Sequence, residues 1–588
     1  MATLTGGSAN VQQEMINRRL PFLMLVLVVV ALGLLIQISR YQWLPPNVER
    51  ELQLRGSQNT SSVRRLPAER GIIYDQGGQP LAVNTLQYEI GASPNLITAN
   101  RKREVAAALA VILGRDEFQI YQQLTSATPW QQIARPVTAD VGQQIADEDI
   151  FGVVINPLSK RFYPQGTLAA QLIGFVIEDN DNTRGAMGVE GYYNDQLAGR
   201  VIDQQVSNIP FQLPTRSDGG QRGMNLVLTI DRDVQFWTEY ELNRAIQSTN
   251  ATGGTIIVMN PRNGDILGMA SYPTFDPNNF QQVDDPALLT NPAIAAAYEP
   301  GSVFKIVTVA AALNSSTITP QWTYNDQGVI TVGGVDVRNW DRNAYGVVDA
   351  TTALSRSLNV GMATMALEMG PDRFYSGLRA FGIGQRTGVD LPGEEGGILK
   401  TPGDPDWSEG DLATNSFGQG VSVTPLQMIT AVAAIANDGL MMQPRLVKQI
   451  VDGETITNAQ LLPAGRAVSA ETAEIVTGMM IRAVTDEGGG VPLAQIPGFV
   501  IAGKTGTAQI PFAAGYEPNV SIASFVGFLP ADDPQLIILV KLDRPSGYWG
   551  SVVAAPVFKQ LAERLVMLLG IPTDDVRRQL EAGGGVVR

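Results

Sequence analysis

Tyr298-Glu299-Pro300-Gly301-Ser302-Val303-Phe304-Lys305 is the stretch around which the rest of this chain is organised. Pro300 and Gly301 are poor helix residues and an apolar run, 306–313, follows, so the pattern predicts a helix beginning at or next to Ser302. Ser302 and Lys305 then share one face of its first turn, which brings an amine within reach of a hydroxyl. A serine hydroxyl is a weak nucleophile until a base takes its proton. A lysine amine is such a base when burial or a neighbouring cation lowers its pKa. The helix N-terminus would also aim backbone N–H groups at negative charge forming beside Ser302.

Ser-x-x-Lys alone is a common tetrapeptide, and an exposed serine cap beside a solvated lysine accounts for most occurrences. Two further stretches shift the balance. Ser357-Leu358-Asn359 follows about fifty-five residues later, and Lys504-Thr505-Gly506-Thr507 lies near the C-terminal end. Ser-x-x-Lys, Ser-x-Asn and Lys-Thr-Gly, in this order, form the motif set of serine β-lactamases and penicillin-binding proteins.

The composition narrows the chemistry independently. The 588 residues contain no histidine, so neither a Ser-His-Asp triad nor a His-x-x-x-His zinc site can be built from them. A serine enzyme made of this chain needs another base, and lysine is the natural one. Cysteine is also absent, which excludes disulfides, thiolate nucleophiles and Cys-ligated metals and fits an extracytoplasmic protein. A net charge of −15 without a large basic block argues against nucleic acid as a partner. The length predicts two or three domains.

Residues 1–19 read as a polar cytoplasmic tail ending in Arg18-Arg19. Residues 20–39 carry no charge and, as a helix, would span roughly 30 Å, the thickness of the bilayer hydrocarbon. The two arginines favour a cytoplasmic N-terminus, and Tyr41 and Trp43 suit the far interface. A cleaved signal peptide is the rival, but Gln37-Ile38-Ser39 lacks a small-x-small site. Residues 40–62, with Pro45, Pro46 and Gly56, suit a linker.

A second region, 63–220, opens on Arg64 to Asp75, with strands on either side of Gly77-Gly78, and carries helical spacing at 105–113, 117–124, 168–176 and 188–197. It holds no supported nucleophile–base pair and reads as a structural or docking domain. The third region, 225–570, begins with a strand at 226–230 and a helix capped by Asp231. Hairpins are expected at 255–270 and 524–542, helices between about 350 and 440, and a last helix from Pro556 with Phe558, Leu561, Leu565 and Leu568 on one face. Strands at both ends with helices between predict an α+β fold, an antiparallel sheet flanked by helices. The tail 571–588 is polar and is expected to fray.

With these motifs in hand, the chain resembles the class B penicillin-binding proteins, membrane-anchored peptidoglycan D,D-transpeptidases. The likeness extends to Arg70-Gly71-Ile72-Ile73-Tyr74-Asp75, Gly188-Val189-Glu190-Gly191, Ser416-Phe417-Gly418-Gln419-Gly420, Thr424-Pro425-Leu426-Gln427 and Ala502 to Gln509. It implies a single transmembrane anchor, an elongated α+β pedestal of the dimerisation type at 63–220, and a transpeptidase domain of the serine β-lactamase-like kind at 225–570. It implies that Ser302 attacks a D-Ala-D-Ala carbonyl, Lys305 takes its proton, Ser357 relays a proton to the leaving amine, and Asn359 binds the substrate amide and Lys305. Lys504 would add a second positive charge, which helps to keep Lys305 neutral. Thr505 and Thr507 would hold the donor carboxylate, Gly506 would leave room for substrate, and the backbone N–H groups of Ser302 and Thr507 would form an oxyanion hole. No metal or cofactor is implied.

The alternatives are a D,D-carboxypeptidase or β-lactamase, which shares the acylation step, and a non-enzymatic penicillin-binding sensor or scaffold. An anchor plus a pedestal favours a cross-linking enzyme acting in septal or lateral wall synthesis. The Ala523-to-Phe528 and Gly550-to-Phe558 stretches lean towards division. The implied partners are peptidoglycan stem peptides, β-lactam antibiotics, the membrane, and a polytopic membrane glycosyltransferase with other wall-synthesis or division proteins. The implied location is the plasma membrane, single-pass, with the catalytic domain outside.

Overall fold

The computed structural model describes residues 21, 24–39, 61–66, 68–179, 182–200, 202–207, 222–486, 490–512 and 515–582, and the chain divides into two units. The smaller unit takes 1–67 and 201–220. Within it residues 24–39 are helical with exposed side chains, and the strand Ser61–Leu66 pairs antiparallel with Ile202–Ser207. Among the described residues no helix is long and apolar enough to cross a membrane. The expected anchor, 20–39, includes Leu20, Phe22 and Leu23, which lie outside the described residues, as do the tail 1–19 and linker residues 40–60. Ser61 and Ser62, expected in the linker, open a strand instead.

The larger unit, 68–200 and 221–588, is built on a five-stranded antiparallel sheet. Its strands are β1 (Gly253–Met259), β2 (Ile266–Tyr272), β3 (Ala502–Phe512), β4 (Gly515–Leu529) and β5 (Leu536–Asp543), in the spatial order β2-β1-β5-β4-β3. The helices that matter for the site are α1 (Arg232–Thr249), α2 (Lys305–Asn314), α3 (Asn359–Ala380), α4 (Pro425–Ala436) and α5 (Ala555–Leu568). β1 and β5 read as continuous apolar runs because both faces of the sheet are covered. Successive residues of a strand point to opposite faces. Ile257, Met259, Val526, Phe528, Ile537 and Leu539 therefore enter the core that contains α2. Their neighbours Ile256, Val258, Phe525, Ile538 and Val540 pack with α1 and with Phe558, Leu561 and Leu565 of α5. Leu568, expected on that same face, is 41% exposed.

Local chemistry sets the helix starts. Asp231 Oδ1 accepts the N–H groups of Asp233 and Val234 and begins α1. Thr424 and Gln427 form a reciprocal capping box at the start of α4, which gives Thr424-Pro425-Leu426-Gln427 its physical meaning.

The region before residue 200 does not stand apart from the sheet-bearing part. Asn225–Leu228 pairs in parallel with Ile73–Tyr74 and antiparallel with Val447–Asp452, and Ile73, Leu81, Leu172 and Val189 share one core with Leu226, Ile257 and α2. Residues 90–145 also carry a small core of their own, with Ile90, Leu109, Ile120 and Ile145. The motif residues of this region meet in a buried ion cluster. Arg70 Nε and Arg161 Nε each donate to one carboxylate oxygen of Glu190 at 2.6 Å, and Arg161 Nη1 also donates to Gly71 O at 2.8 Å.

Three further expectations are corrected. The helix at 168–176 shrinks to Ala170–Ile173, because at Gly174 the chain turns with φ 76° against Met187 O and continues as the strand Val176–Asp179. The helix at 188–197 breaks into Gly188–Tyr192 and Asn194–Leu197. The polar tail does not fray over 574–582. It forms a helix, Asp574–Ala582, fastened by Arg577, whose 2% exposed side chain donates to Asp574 at 2.8 Å and also to Asp532. An arginine, rather than an apolar stripe, docks this segment, so hydrophobic periodicity could not reveal it. Residues 583–588 lie outside the described residues.

Candidate active site

Ser302 sits in a 3-10 turn, Gly301–Phe304, that runs straight into α2 at Lys305. Gly301 has φ +57°, and a Cβ there would lie 2.9 Å from Thr507 O, so the turn is pressed against β3 and glycine is required. From the other side, Gly301 N–H donates to Gly418 O at 3.1 Å, and a Cβ on Gly418 would come within 2.3 Å of Gly301 O. Ser416-Phe417-Gly418-Gln419-Gly420 is therefore a backbone brace for the nucleophile turn. Thr308 Oγ1, on α2, donates to Ser416 O at 2.7 Å and completes it. Glu299 accepts from Gly420 N–H at 3.0 Å and from the Tyr516 hydroxyl at 3.1 Å, and burial raises its carboxyl above the ordinary range. It acts as a structural tie.

Lys305 is fully buried. Its Nζ lies 2.6 Å from Ser357 O, 3.0 Å from Ser357 Oγ and 2.7 Å from Asn359 Oδ1. Burial first, and then the positive charge of Lys504, hold its pKa well below the ordinary lysine value. Ser357 has φ +59°, a left-handed conformation that turns its carbonyl and hydroxyl towards the same amine. Asn359, the first residue of α3, is held by Nδ2 donating to Arg338 O at 2.8 Å.

Lys504 lies on β3, the edge strand of the sheet. It is 2% exposed, and burial lowers its pKa to about 7. Among the described residues its Nζ has two long-range acceptors, Thr505 O at 3.2 Å and Thr505 Oγ1 at 3.4 Å, which suits it to a stronger anion. Thr507 Oγ1 accepts from Gly550 N–H at 3.1 Å, which leaves its own O–H free to donate. Gly506 differs from expectation. A Cβ there would meet Ser524 Oγ at 2.3 Å and Val303 Cγ1 at 3.0 Å. The missing side chain makes room for the nucleophile turn, not for substrate.

Ser302, Ser357, Asn359, Lys504, Thr505 and Thr507 all line one cleft of 1010 Å³. Lys305 lies beneath it. Sequence reasoning missed Gly550, whose Cβ would fall 2.2 Å from Gly506 O, and the aromatic lining Trp340, Tyr345, Tyr548 and Trp549. A glycine after two aromatic residues was the one available signal. Among the described residues no group of His, Cys, Asp and Glu could hold a metal ion.

A serine beside a buried lysine whose pKa is held down, facing a second lysine and threonine hydroxyls, is equipped for acyl transfer from a substrate that bears a carboxylate. Comparison with known proteins agrees. Residues 254–563 match the family model of the penicillin-binding protein transpeptidase domain, and 65–211 match the penicillin-binding protein dimerisation domain. The stage V sporulation protein D of Bacillus subtilis is 33% identical over 527 residues, covering 86% of this chain and 80% of that protein. The peptidoglycan D,D-transpeptidase FtsI of Escherichia coli is 29% identical over 557 residues, covering 93% of this chain and 91% of that protein. The structure of penicillin-binding protein 3 of Mycobacterium tuberculosis in complex with aztreonam aligns with a TM-score of 0.67 at 30% identity, covering 87% of this chain and 98% of that one. The chain thus belongs to the class B penicillin-binding proteins, and is a serine-type peptidoglycan D,D-transpeptidase.

Proposed function

We propose that Ser302 is the acylated residue and that Lys305, as a neutral amine, is its base. The observation that carries this reading is the set of contacts at Lys305 Nζ. A neutral amine has two N–H donors and one lone pair. Ser357 O and Asn359 Oδ1 can only accept, so they take both donors. The lone pair is left to receive a proton. Once Lys305 has taken the Ser302 proton, its third N–H has an acceptor in Ser357 Oγ at 3.0 Å. The Ser357 hydroxyl then passes a proton to the departing D-Ala nitrogen as the C–N bond breaks. In the second half-reaction the same path runs backwards. The acceptor amine loses its proton through Ser357 and Lys305, and Ser302 Oγ regains one as the ester is cleaved.

Lys504, Thr505 and Thr507 receive the terminal carboxylate of the donor, and binding an anion favours the charged form of Lys504. The backbone N–H groups of Ser302 and Thr507 stabilise the oxyanion, a role supported by the close approach of Gly301 to Thr507 O. Such a donor contributes about 3–4 kcal/mol. The unpaired edge of β3 suits a peptide donor laid alongside it as an added strand. Mass spectrometry of a penicillin adduct tests the assignment. The label belongs on the peptide holding Ser302 and disappears in Ser302→Ala, whereas an adduct on Ser357 would refute it.

The domain limits read from the sequence, 63–220 and 225–570, belong to the same proposal, with the uncharged run 20–39 as the anchor and Arg18-Arg19 on the cytoplasmic side. In this reading the catalytic part works outside the plasma membrane. A role in division rests on the Ala523-to-Phe528 and Gly550-to-Phe558 stretches, and a polytopic membrane glycosyltransferase is the expected partner. Protease added to intact spheroplasts should digest the chain beyond about residue 44, and protection of the C-terminal region would overturn the orientation.

A further inference from the structure

Two exposed tryptophans meet across the mouth of the catalytic cleft. Trp340 and Trp549 have ring centroids 5.3 Å apart, at an interplanar angle of 71°, in an edge-to-face contact. They are 54% and 42% exposed, so neither is a core residue, and both line the cleft that holds Ser302, Ser357, Asn359 and Lys504.

They come from different walls. Trp340 belongs to the wall that carries Ser357 and Asn359. Its Nε1–H donates to Arg356 O at 3.0 Å, one residue before Ser357, and its neighbour Asn339 accepts from Val360 N–H at 3.2 Å, one residue after Asn359. Trp549 belongs to the wall made by β3 and β4. The next residue, Gly550, donates to Thr507 Oγ1, and the preceding one, Tyr548, accepts through its carbonyl from Ser521 Oγ at 2.6 Å. Tyr548 also packs edge to face against Trp549, with centroids 5.0 Å apart. Each indole is thus tied through one or two residues to catalytic machinery on its own side. The contact between them is the aromatic bridge between the two walls.

We infer that the Trp340–Trp549 pair is a specificity device of the second half-reaction, which favours the acceptor amine over water at the acyl-enzyme. This rests on the reading of Ser302 as the acylated residue. The ester on Ser302 has two fates. Aminolysis forms a C–N bond to the acceptor and breaks the C–Oγ bond, and the amine's proton returns to Ser302 through Lys305. Hydrolysis breaks the same C–Oγ bond, with the water's hydroxyl going to the acyl carbon and its proton to Ser302. The two routes use the same base and the same leaving oxygen, so the protein distinguishes them by what can reach the ester. A closed aromatic bridge gives water little to hydrogen-bond. An acceptor peptide instead gains ring contact, with its ammonium attracted to an indole face before it is deprotonated. The contact is weak enough to open for a peptide, since aromatic pairs of this geometry shift equilibria by only about two- to twelve-fold.

The test counts both products from one reaction, using the full-length protein, a thioester analogue of the acyl-D-Ala donor and a D-amino acid as acceptor. The ratio of amide to acid is internal to each sample and does not depend on how fast acylation occurs. In Trp340→Ala and in Trp549→Ala the ratio should fall by about two- to twelve-fold. The double variant should fall no further than the worse single one, because both remove the same contact. Trp340→Phe and Trp549→Phe, which keep a ring, should recover most of the ratio. Unchanged ratios in both alanine variants, or losses that multiply in the double variant, would overturn the inference. A penicillin adduct located elsewhere than Ser302 in the unaltered protein would instead sink the assignment of the nucleophile, and this inference with it.

Discussion

Replacing Lys504 by methionine separates the two jobs that the proposed mechanism gives to this buried second lysine. Its first job is to meet the donor carboxylate. Among the described residues Lys504 Nζ finds Thr505 O at 3.2 Å and Thr505 Oγ1 at 3.4 Å, so a donor carboxylate would be its strongest partner. A hydrogen bond to a charged group contributes about 1.5–3 kcal/mol, and its loss corresponds to about 10- to 150-fold in the acylation rate constant. Its second job is electrostatic. Burial and the Lys504 charge both lower the pKa of Lys305, in that order. Acylation needs Lys305 neutral and Lys504 charged, so in the unaltered protein the rate rises with pH as Lys305 loses its proton. It falls again through about 7 as Lys504 loses its own. Lys504→Met removes the falling limb outright, because the group that titrates there is gone. It also moves the rising limb to higher pH, because a cation no longer opposes the charged form of Lys305. The assay is the second-order rate constant for labelling by a fluorescent penicillin, followed between about pH 5 and about pH 9, a range that spans the shifted lysines. A rising limb that stays in place or moves to lower pH would show that the lysines are not coupled. Persistence of the falling limb would show that another group causes it.

Two further perturbations test how the scaffold holds the site. Glu190→Ala leaves Arg70 and Arg161 buried with no counter-charge, so it should destabilise the protein by about 3–5 kcal/mol; an unchanged thermal midpoint would mean that the cluster is dispensable. In Gly550→Ala the added methyl would lie 2.2 Å from Gly506 O and 2.5 Å from Ser524 O. The loop must then withdraw from β3 and release Thr507, and penicillin labelling should drop by about 100-fold while far-ultraviolet circular dichroism is kept; labelling at the original rate would refute the role of this contact.

The chemistry of the site was far more legible than its support. Ser302, Lys305, Ser357, Asn359 and Lys504 come from three separated stretches, yet motif order and the absence of histidine named them together, and the fold brings them into one cluster. The hairpins at β1–β2 and β4–β5 were readable because long apolar runs end at turn residues. What could not be read is whatever depends on two backbones approaching. Gly301, Gly418, Gly506 and Gly550 look alike in a sequence with 60 glycines. Only the structure shows that each lies where a Cβ would strike another part of the catalytic frame. The docking of 574–582 through Arg577 was hidden for a related reason, since one buried arginine among polar residues leaves no periodic trace. The run at 168–176 misled because a short apolar stretch serves a buried helical turn and a strand equally well.

The same reasoning explains how a chain with no histidine runs acid–base chemistry at a serine. A single exposed lysine would stay protonated at neutral pH and could accept nothing. Two lysines buried side by side cannot both keep their charge cheaply, so the site must decide which one gives it up. Burial lowers the pKa of both, and the charge on Lys504 lowers that of Lys305 further. A carboxylate bound at Lys504 favours its charged form and so leaves Lys305 as the one to give up its proton. The hydrogen bonds permit this: Lys305 has acceptors for either protonation state, and a carboxylate would give Lys504 a stronger partner than Thr505. In the proposed mechanism substrate binding fixes the charge on Lys504, and that charge in turn keeps the base on Lys305 free. Acylation is thereby coupled to recognition of the donor's terminal carboxylate, and an acyl donor without that group meets a site whose base is less well prepared.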